Sequence, residues 1–114
     1  MATVTPIEAL RLSHRAALFE GGEQAPVSIF VTEYSTGEGP DLHLHPYPEV
    51  FVVEAGTARF TAGDEQLTVP GGNIVVVPAQ TPHGFKCAGE DKLRVVSVHP
   101  SPSVQQTDLQ VEAR

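Results

Sequence analysis

The sequence predicts an all-β fold: a small barrel, sandwich or jelly roll. Turn-forming clusters recur every seven to ten residues from position 37 onward. The stretches between them are short and rich in β-branched and aromatic residues. No long stretch carries the periodicity of an amphipathic helix. At 114 residues the chain suffices for one core, so a single domain over 1–114 is expected, with the barrel in about 25–100 and flanking segments at both ends.

Residues 1–20 leave the choice between a short helical turn and a strand open, because Ile7-Glu8-Ala9-Leu10-Arg11-Leu12 fits both periods. Gly21-Gly22 breaks the chain, and 27–34 (VSIFVTEY) reads as the first clear strand. Six more strands are predicted at 50–54, 57–61, 66–69, 74–77, 83–87 and 93–99. Between them lie glycine or proline turns such as Ala55-Gly56, Gly63-Asp64 and Pro78 to Pro82. Beyond Pro100-Ser101-Pro102 the chain turns polar, and 104–111 reads either as an added strand or as a loose arm.

Composition narrows the partners. A formal charge of −7 leaves no basic patch for a nucleic acid, so no nucleic-acid partner is expected. The longest aliphatic run, Ile74-Val75-Val76-Val77, is far too short to span a bilayer, so no membrane partner is expected. The N-terminus lacks a basic region followed by an apolar one, and the single cysteine, Cys87, has no intrachain partner; both point to a cytoplasmic protein.

The chemistry is concentrated in Asp41-Leu42-His43-Leu44-His45-Pro46-Tyr47-Pro48-Glu49 and in a distant His83. On an extended strand His43 and His45 point the same way, with Cα atoms about 6.6 Å apart, a gap two imidazoles close around one ion. In a straight strand Glu49 would lie about 13 Å from His45. Pro46 and Pro48 disfavour a straight strand there, so the chain is expected to bend and return Glu49 to the histidines. Phe51 and Val53 share the parity of Glu49, and Phe85 and Cys87 share that of His83. Together with Phe30 they are the expected walls of a dry, narrow pocket for a small or flat molecule. Three imidazoles and one carboxylate suit a divalent Fe, Mn, Ni, Zn or Cu ion, and a six-coordinate ion would keep two positions free.

Other candidates have plainer readings. Cys87 is expected as a small buried hydrophobe ahead of a reactive thiol. His99 is expected as a surface or hydrogen-bonded structural histidine ahead of an inward proton shuttle, and His14 as a surface residue. Tyr47 reads equally as a lid and as packing at the bend. The glycines are turn residues; no helix start follows them to cradle a phosphate.

These residues resemble the cupin superfamily, whose members carry two spaced motifs. The first is matched throughout by Gly37, five residues, His43-Leu44-His45, three residues, Glu49, six residues and Gly56. In the second, Gly72, Pro78 and His83 match, whereas Gln80 stands where glycine is usual and Cys87 where asparagine is frequent. The resemblance covers 37–87. It implies a conical double-stranded β-helix, or jelly-roll barrel, that commonly dimerises, with His43, His45, Glu49 and His83 as metal ligands. Gln80 in the glycine position implies a turn that needs no positive φ.

Two kinds of function follow. One is a metal-dependent enzyme, dioxygenase-like, acting on a small organic substrate; a metal-dependent isomerase is a lesser variant. The other is a metal-containing module that binds or senses a small ligand without chemistry, favoured by the want of an evident general base among inward-parity Lys, Asp or Glu. No organic cofactor is expected, and a homodimer is, because small barrels often hide edge strands across a two-fold axis.

Overall fold

The computed structural model describes residues 1–109. Ten strands follow a single 3-10 turn at Ile7–Leu10: β1 (Ala16–Glu20), β2 (Ser28–Tyr34), β3 (His43–Leu44), β4 (Glu49–Ala55), β5 (Thr57–Ala62), β6 (Glu65–Pro70), β7 (Asn73–Val77), β8 (His83–Cys87), β9 (Leu93–His99) and β10 (Thr107–Asp108). The all-β expectation holds, and each strand predicted from 27 to 99 is present within a residue or two. The open segment 1–20 contains both a 3-10 turn and a strand. Among the described residues no helix is long and apolar enough to cross a membrane.

The topology is one long hairpin rolled into a jelly roll. Its tip is the β5–β6 hairpin, followed outward by the antiparallel pairs β4–β7, β3–β8 and β2–β9. Rolling places β9 beside β4 and β8 beside β5, giving two five-stranded sheets, β1-β2-β9-β4-β7 and β10-β3-β8-β5-β6. Period-2 alternation then fills the space between them. On β4 Glu49, Phe51 and Val53 point inward, on β8 His83, Phe85 and Cys87, and on β9 Leu93, Val95, Ser97 and His99. The lower core is aromatic. Phe60 stacks on Phe85 at 4.8 Å between ring centroids and meets Phe51 edge-on at 5.1 Å. Burying such side chains contributes on the order of 2 kcal/mol each.

Two turns tie this frame to the site. Gly56, between β4 and β5, has φ +77, and a Cβ there would lie 2.4 Å from the Lys92 carbonyl oxygen, so no other residue fits without moving backbone. At the β7–β8 turn the expectation fails. Gln80 has φ 59, in the left-handed region that glycine adopts most easily. The turn keeps its shape because the Gln80 N–H donates to the His45 carbonyl at 2.8 Å, fixing it against the segment just after β3. The exposed side chain gives nothing visible in return. Gln80→Gly is therefore expected to raise stability by about 0.5–1 kcal/mol, the αL strain relieved less the extra chain entropy of glycine. Thermal unfolding would show a rise of about 3–5 °C; a fall would mean that Gln80 makes a compensating interaction.

Candidate metal centre

The site lies where the open ends of both sheets meet. Pairing of His43 with His83 across β3 and β8 brings the two motifs into contact. The bend at Pro46-Tyr47-Pro48 carries the chain from one sheet to the other, so that Glu49 starts β4 beneath the histidines. His43, His45, Glu49 and His83 are all buried, and their four ligand atoms lie within 4.8 Å of one another. Donors about 2.1 Å from one ion are themselves about 3–4.2 Å apart, so a contraction of a few tenths of an ångström suffices.

Hydrogen bonding fixes how each imidazole faces the centre. His43 Nδ1 donates to the Asp41 carbonyl at 2.7 Å, His45 Nδ1 to the Gln105 carbonyl at 2.7 Å and His83 Nδ1 to the Thr81 carbonyl at 2.8 Å. With the proton on Nδ1, each Nε2 turns a lone pair inward. Those lone pairs converge on another acceptor: Glu49 Oε1 lies 3.0 Å from His45 Nε2 and 3.1 Å from His83 Nε2. His45 Nε2 is buried and, despite that proximity, aligned with no hydrogen-bond partner. Acceptors crowded in a buried volume are unfavourable unless a cation sits among them. The donor set thus fits a borderline divalent metal.

The electrostatics make Glu49 the anionic member of the set, for which protonated imidazole competes with a metal. Burial alone would push the Glu49 carboxyl up, yet contacts from His45, His83 and His99 outweigh it and hold the group far below the usual carboxylate range. Burial drives His43 down toward the neutral form that ligates. His45 is raised: burial opposes its charged form, but Glu49 and the Gln105 carbonyl favour it more.

Beside the cluster opens a cavity of about 200 Å³ walled by Phe30, Tyr34, Phe51 and Phe85, with Thr32, Ser97 and Gln106 as polar lining. Of the five residues expected to wall the pocket, Phe30, Phe51 and Phe85 do so. Val53 and Cys87 do not line it. They share the right parity but sit a strand step deeper, in the apolar core, where Cys87 donates to the Asp91 carbonyl at 3.3 Å. Of the two readings expected for His99, the surface one fails and the hydrogen-bonded structural one is met, on the inward face of β9. It is buried at 1% exposure, with Nε2 3.1 Å from Glu49 Oε2 and Nδ1 2.7 Å from Tyr47 Oη. The signal was present: Leu93 inward and Arg94 outward fix the parity of β9, and His99 shares that of Leu93. Of the two readings of Tyr47, packing at the bend is met: its ring stacks on His45 at 5.1 Å. His14 is exposed as expected.

The tail also contributes to the site. Residues 104–109 run along β3, with Thr107 opposite Leu44 and Asp108 opposite His43. The expectation of an added strand is met at β10, while residues 110 and 111 of that expectation lie outside the described residues.

A model of the cupin domain matches residues 30–99, which carry both motifs and all four candidate ligands. The chain belongs to the cupin family. Among curated relatives, this cupin is similar to an uncharacterised protein of Streptomyces coelicolor, 31% identical over 96 residues, covering 84% of this chain and 90% of that protein. Among solved structures, a conserved Klebsiella pneumoniae protein with a double-stranded β-helix domain superposes with TM-score 0.75 at 17% identity, over 91% of this chain and 88% of that one. An oxalate oxidase in complex with glycolate gives TM-score 0.69 at 18% identity over 81% of this chain, which spans 54% of that protein. The oxalate decarboxylase of Bacillus subtilis, described with Mn(II) centres, gives 0.76 at 17% over 85% of this chain, which spans 29% of the decarboxylase. These likenesses concern the fold.

Proposed function

We propose that this cupin is a metal-dependent oxidoreductase of the dioxygenase type, acting on a small, largely apolar organic substrate. The observation that carries the reading is the aromatic cavity opening directly beside the buried His43, His45, Glu49 and His83 cluster. A divalent ion bound there would supply Lewis acidity and, for a redox-active metal, a route for electrons. Phe30, Phe51 and Phe85 would clamp a flat substrate and exclude water, and Thr32, Ser97 and Gln106 would orient its polar end. At about 200 Å³ the cavity is below the range of about 300–1,000 Å³ typical of drug-sized ligands, which favours a substrate of few heavy atoms.

Oxalate chemistry, suggested by two of the structural neighbours, is less well supported. No Lys or Arg lines the cavity among the described residues, so a dianion would depend on the metal alone for charge. Oxygen uptake by Fe(II)-, Mn(II)- and Ni(II)-loaded protein, assayed against enols, catechols, thiols and oxalate, tests the reading. Turnover of an enol, catechol or thiol is expected. Tight stoichiometric metal with no turnover of any of these would favour the second reading, a metal-containing binding module. That alternative is favoured by a cavity whose only titratable lining groups beyond the candidate ligands are, among the described residues, Tyr34 and His99.

The reading includes a homodimer. The outer face of the first sheet is aliphatic across three adjacent strands, with Ile74 and Val76 beside Val52 and Val50, and these beside Val96 and Val98. Ile74 and Val76, on the edge strand β7, are 66% and 61% exposed. A second copy pairing on this face would cover both the apolar stripe and the open edge. Sedimentation should give twice 12.2 kDa, and Ile74→Lys with Val76→Lys should halve it. A monomeric wild-type protein would rule the dimer out.

A further inference from the structure

We propose that His99 and Tyr47 are a positioning pair that holds the Glu49 carboxylate to ligation through one oxygen. The four buried imidazoles at the centre are not equivalent. Three carry their proton on Nδ1, hydrogen-bonded to the carbonyls of Asp41, Gln105 and Thr81, and turn Nε2 lone pairs inward. His99 is wired the other way. Its Nδ1 meets a hydroxyl, Tyr47 Oη, at 2.7 Å. That hydroxyl already accepts the Gln105 N–H at 3.2 Å. The Tyr47 proton has one acceptor in reach among the recorded contacts, His99 Nδ1. Neutral His99 must then carry its own proton on Nε2.

The direction of the chain follows: Gln105 N–H to Tyr47 Oη, Tyr47 O–H to His99 Nδ1, and His99 Nε2–H facing Glu49. The nearest acceptor is Glu49 Oε2 at 3.1 Å, whereas Oε1 is the oxygen beside His45 and His83. His99 Nε2 is itself buried and out of line for a hydrogen bond with the carboxylate at rest. A small rotation of the carboxylate about its terminal torsion, which is broad and soft, would bring Oε2 onto that donor. Three imidazoles thus offer lone pairs to the metal and one offers a proton to the carboxylate. The consequence is coordination number: with Oε2 occupied by His99, Glu49 takes one position on the ion and the cavity side stays open for substrate. Packing supports the placement, since the His99 ring is wedged between His45 at 4.6 Å and Phe30 at 5.4 Å.

The inference needs a metal in the site, as the functional reading does, but needs no turnover. The probe is Co(II), whose visible absorption weakens as its coordination number rises. In His99→Leu, which keeps bulk and removes the donor, Oε2 is freed to join the ion. The Co(II) bands should weaken, and binding should fall by about 10–100-fold, as for loss of other outer partners of metal ligands. His99→Gln, which restores an N–H donor, should recover the wild-type spectrum. Tyr47→Phe, which frees the tautomer, should move it part of the way. A wild-type Co(II) spectrum in His99→Leu overturns the pair. If that variant does not fold, an unchanged spectrum in Tyr47→Phe overturns it equally. A wild-type protein that binds no Co(II) refutes the metal reading itself, and the pair with it, whereas an altered spectrum in an inactive protein leaves the pair standing.

Discussion

His45→Ala is expected to abolish stoichiometric metal binding while leaving the barrel folded. Among the candidate ligands, His45 is the one whose inward nitrogen is both buried and without an aligned partner, so it is the group most dependent on a cation. It is also the ligand tied by Nδ1 to the tail, at the Gln105 carbonyl. Loss of an outer partner of a metal ligand typically costs about 10–100-fold in affinity, and loss of the ligand itself should exceed that. The most direct measurement is the thermal shift on adding metal. For wild-type protein at a metal concentration a hundredfold above its dissociation constant, mass action contributes about 2.7 kcal/mol. For a chain of this size that is a rise of about 10 °C. The His45→Ala protein should show no shift at the same concentration, and elemental analysis should find it metal-free. The barrel should survive, because the apolar cluster from Phe51 to Val95 lies below the site and does not include residue 45. A full metal complement in His45→Ala would refute the assignment of the centre.

Most of this architecture was legible because it is written in short-range pattern. Period-2 alternation fixes which side of β4 and β8 faces inward, so Glu49, Phe51, His83 and Phe85 are placed by parity alone. The proline bend explains how Glu49 returns to His43 and His45. Parity cannot give depth: Val53 and Cys87 share the parity of the cavity walls yet belong to the core beneath it. The inward placement of His99 follows from parity but is inconspicuous for a related reason. The outer face of β9 carries Val96 and Val98, so apolar residues lie on both sides and the inward set does not stand out. Gln80 shows that residue type is a guide to φ and not a proof of it: a hydrogen bond from its N–H to His45 holds a conformation that its side chain disfavours. The contribution of the tail is made by backbone carbonyl and amide groups, which every residue has, so no sequence pattern could announce it.

Removing residues 104–114 is expected to cost metal binding far more than it costs folding. The Gln105 carbonyl orients the His45 ring at 2.7 Å, and the Gln105 N–H holds Tyr47 at 3.2 Å. The strand carrying His43 and Leu44 is only two residues long. On one side β3 pairs with β8 at the single position His43–His83, and on the other β10 pairs with both of its residues. Leu109 extends this ladder, donating to the Leu42 carbonyl at 3.1 Å. Without the tail, β3 keeps one pairing, His45 loses the acceptor that fixes its tautomer, and Gln106 no longer closes the cavity. Affinity should fall by at least the 10–100-fold of a lost outer partner. The apoprotein should lose only about 1–3 kcal/mol, a few exposed backbone hydrogen bonds, because no described tail residue enters the core cluster. A control separates backbone from side chain. Gln105 is exposed and acts through its carbonyl and amide, so Gln105→Ala should bind metal within about twofold of wild type. Equal loss in Gln105→Ala and in the truncation would place the effect in the side chain, and unchanged metal affinity in the truncation would show that the ligands hold their geometry without the strap.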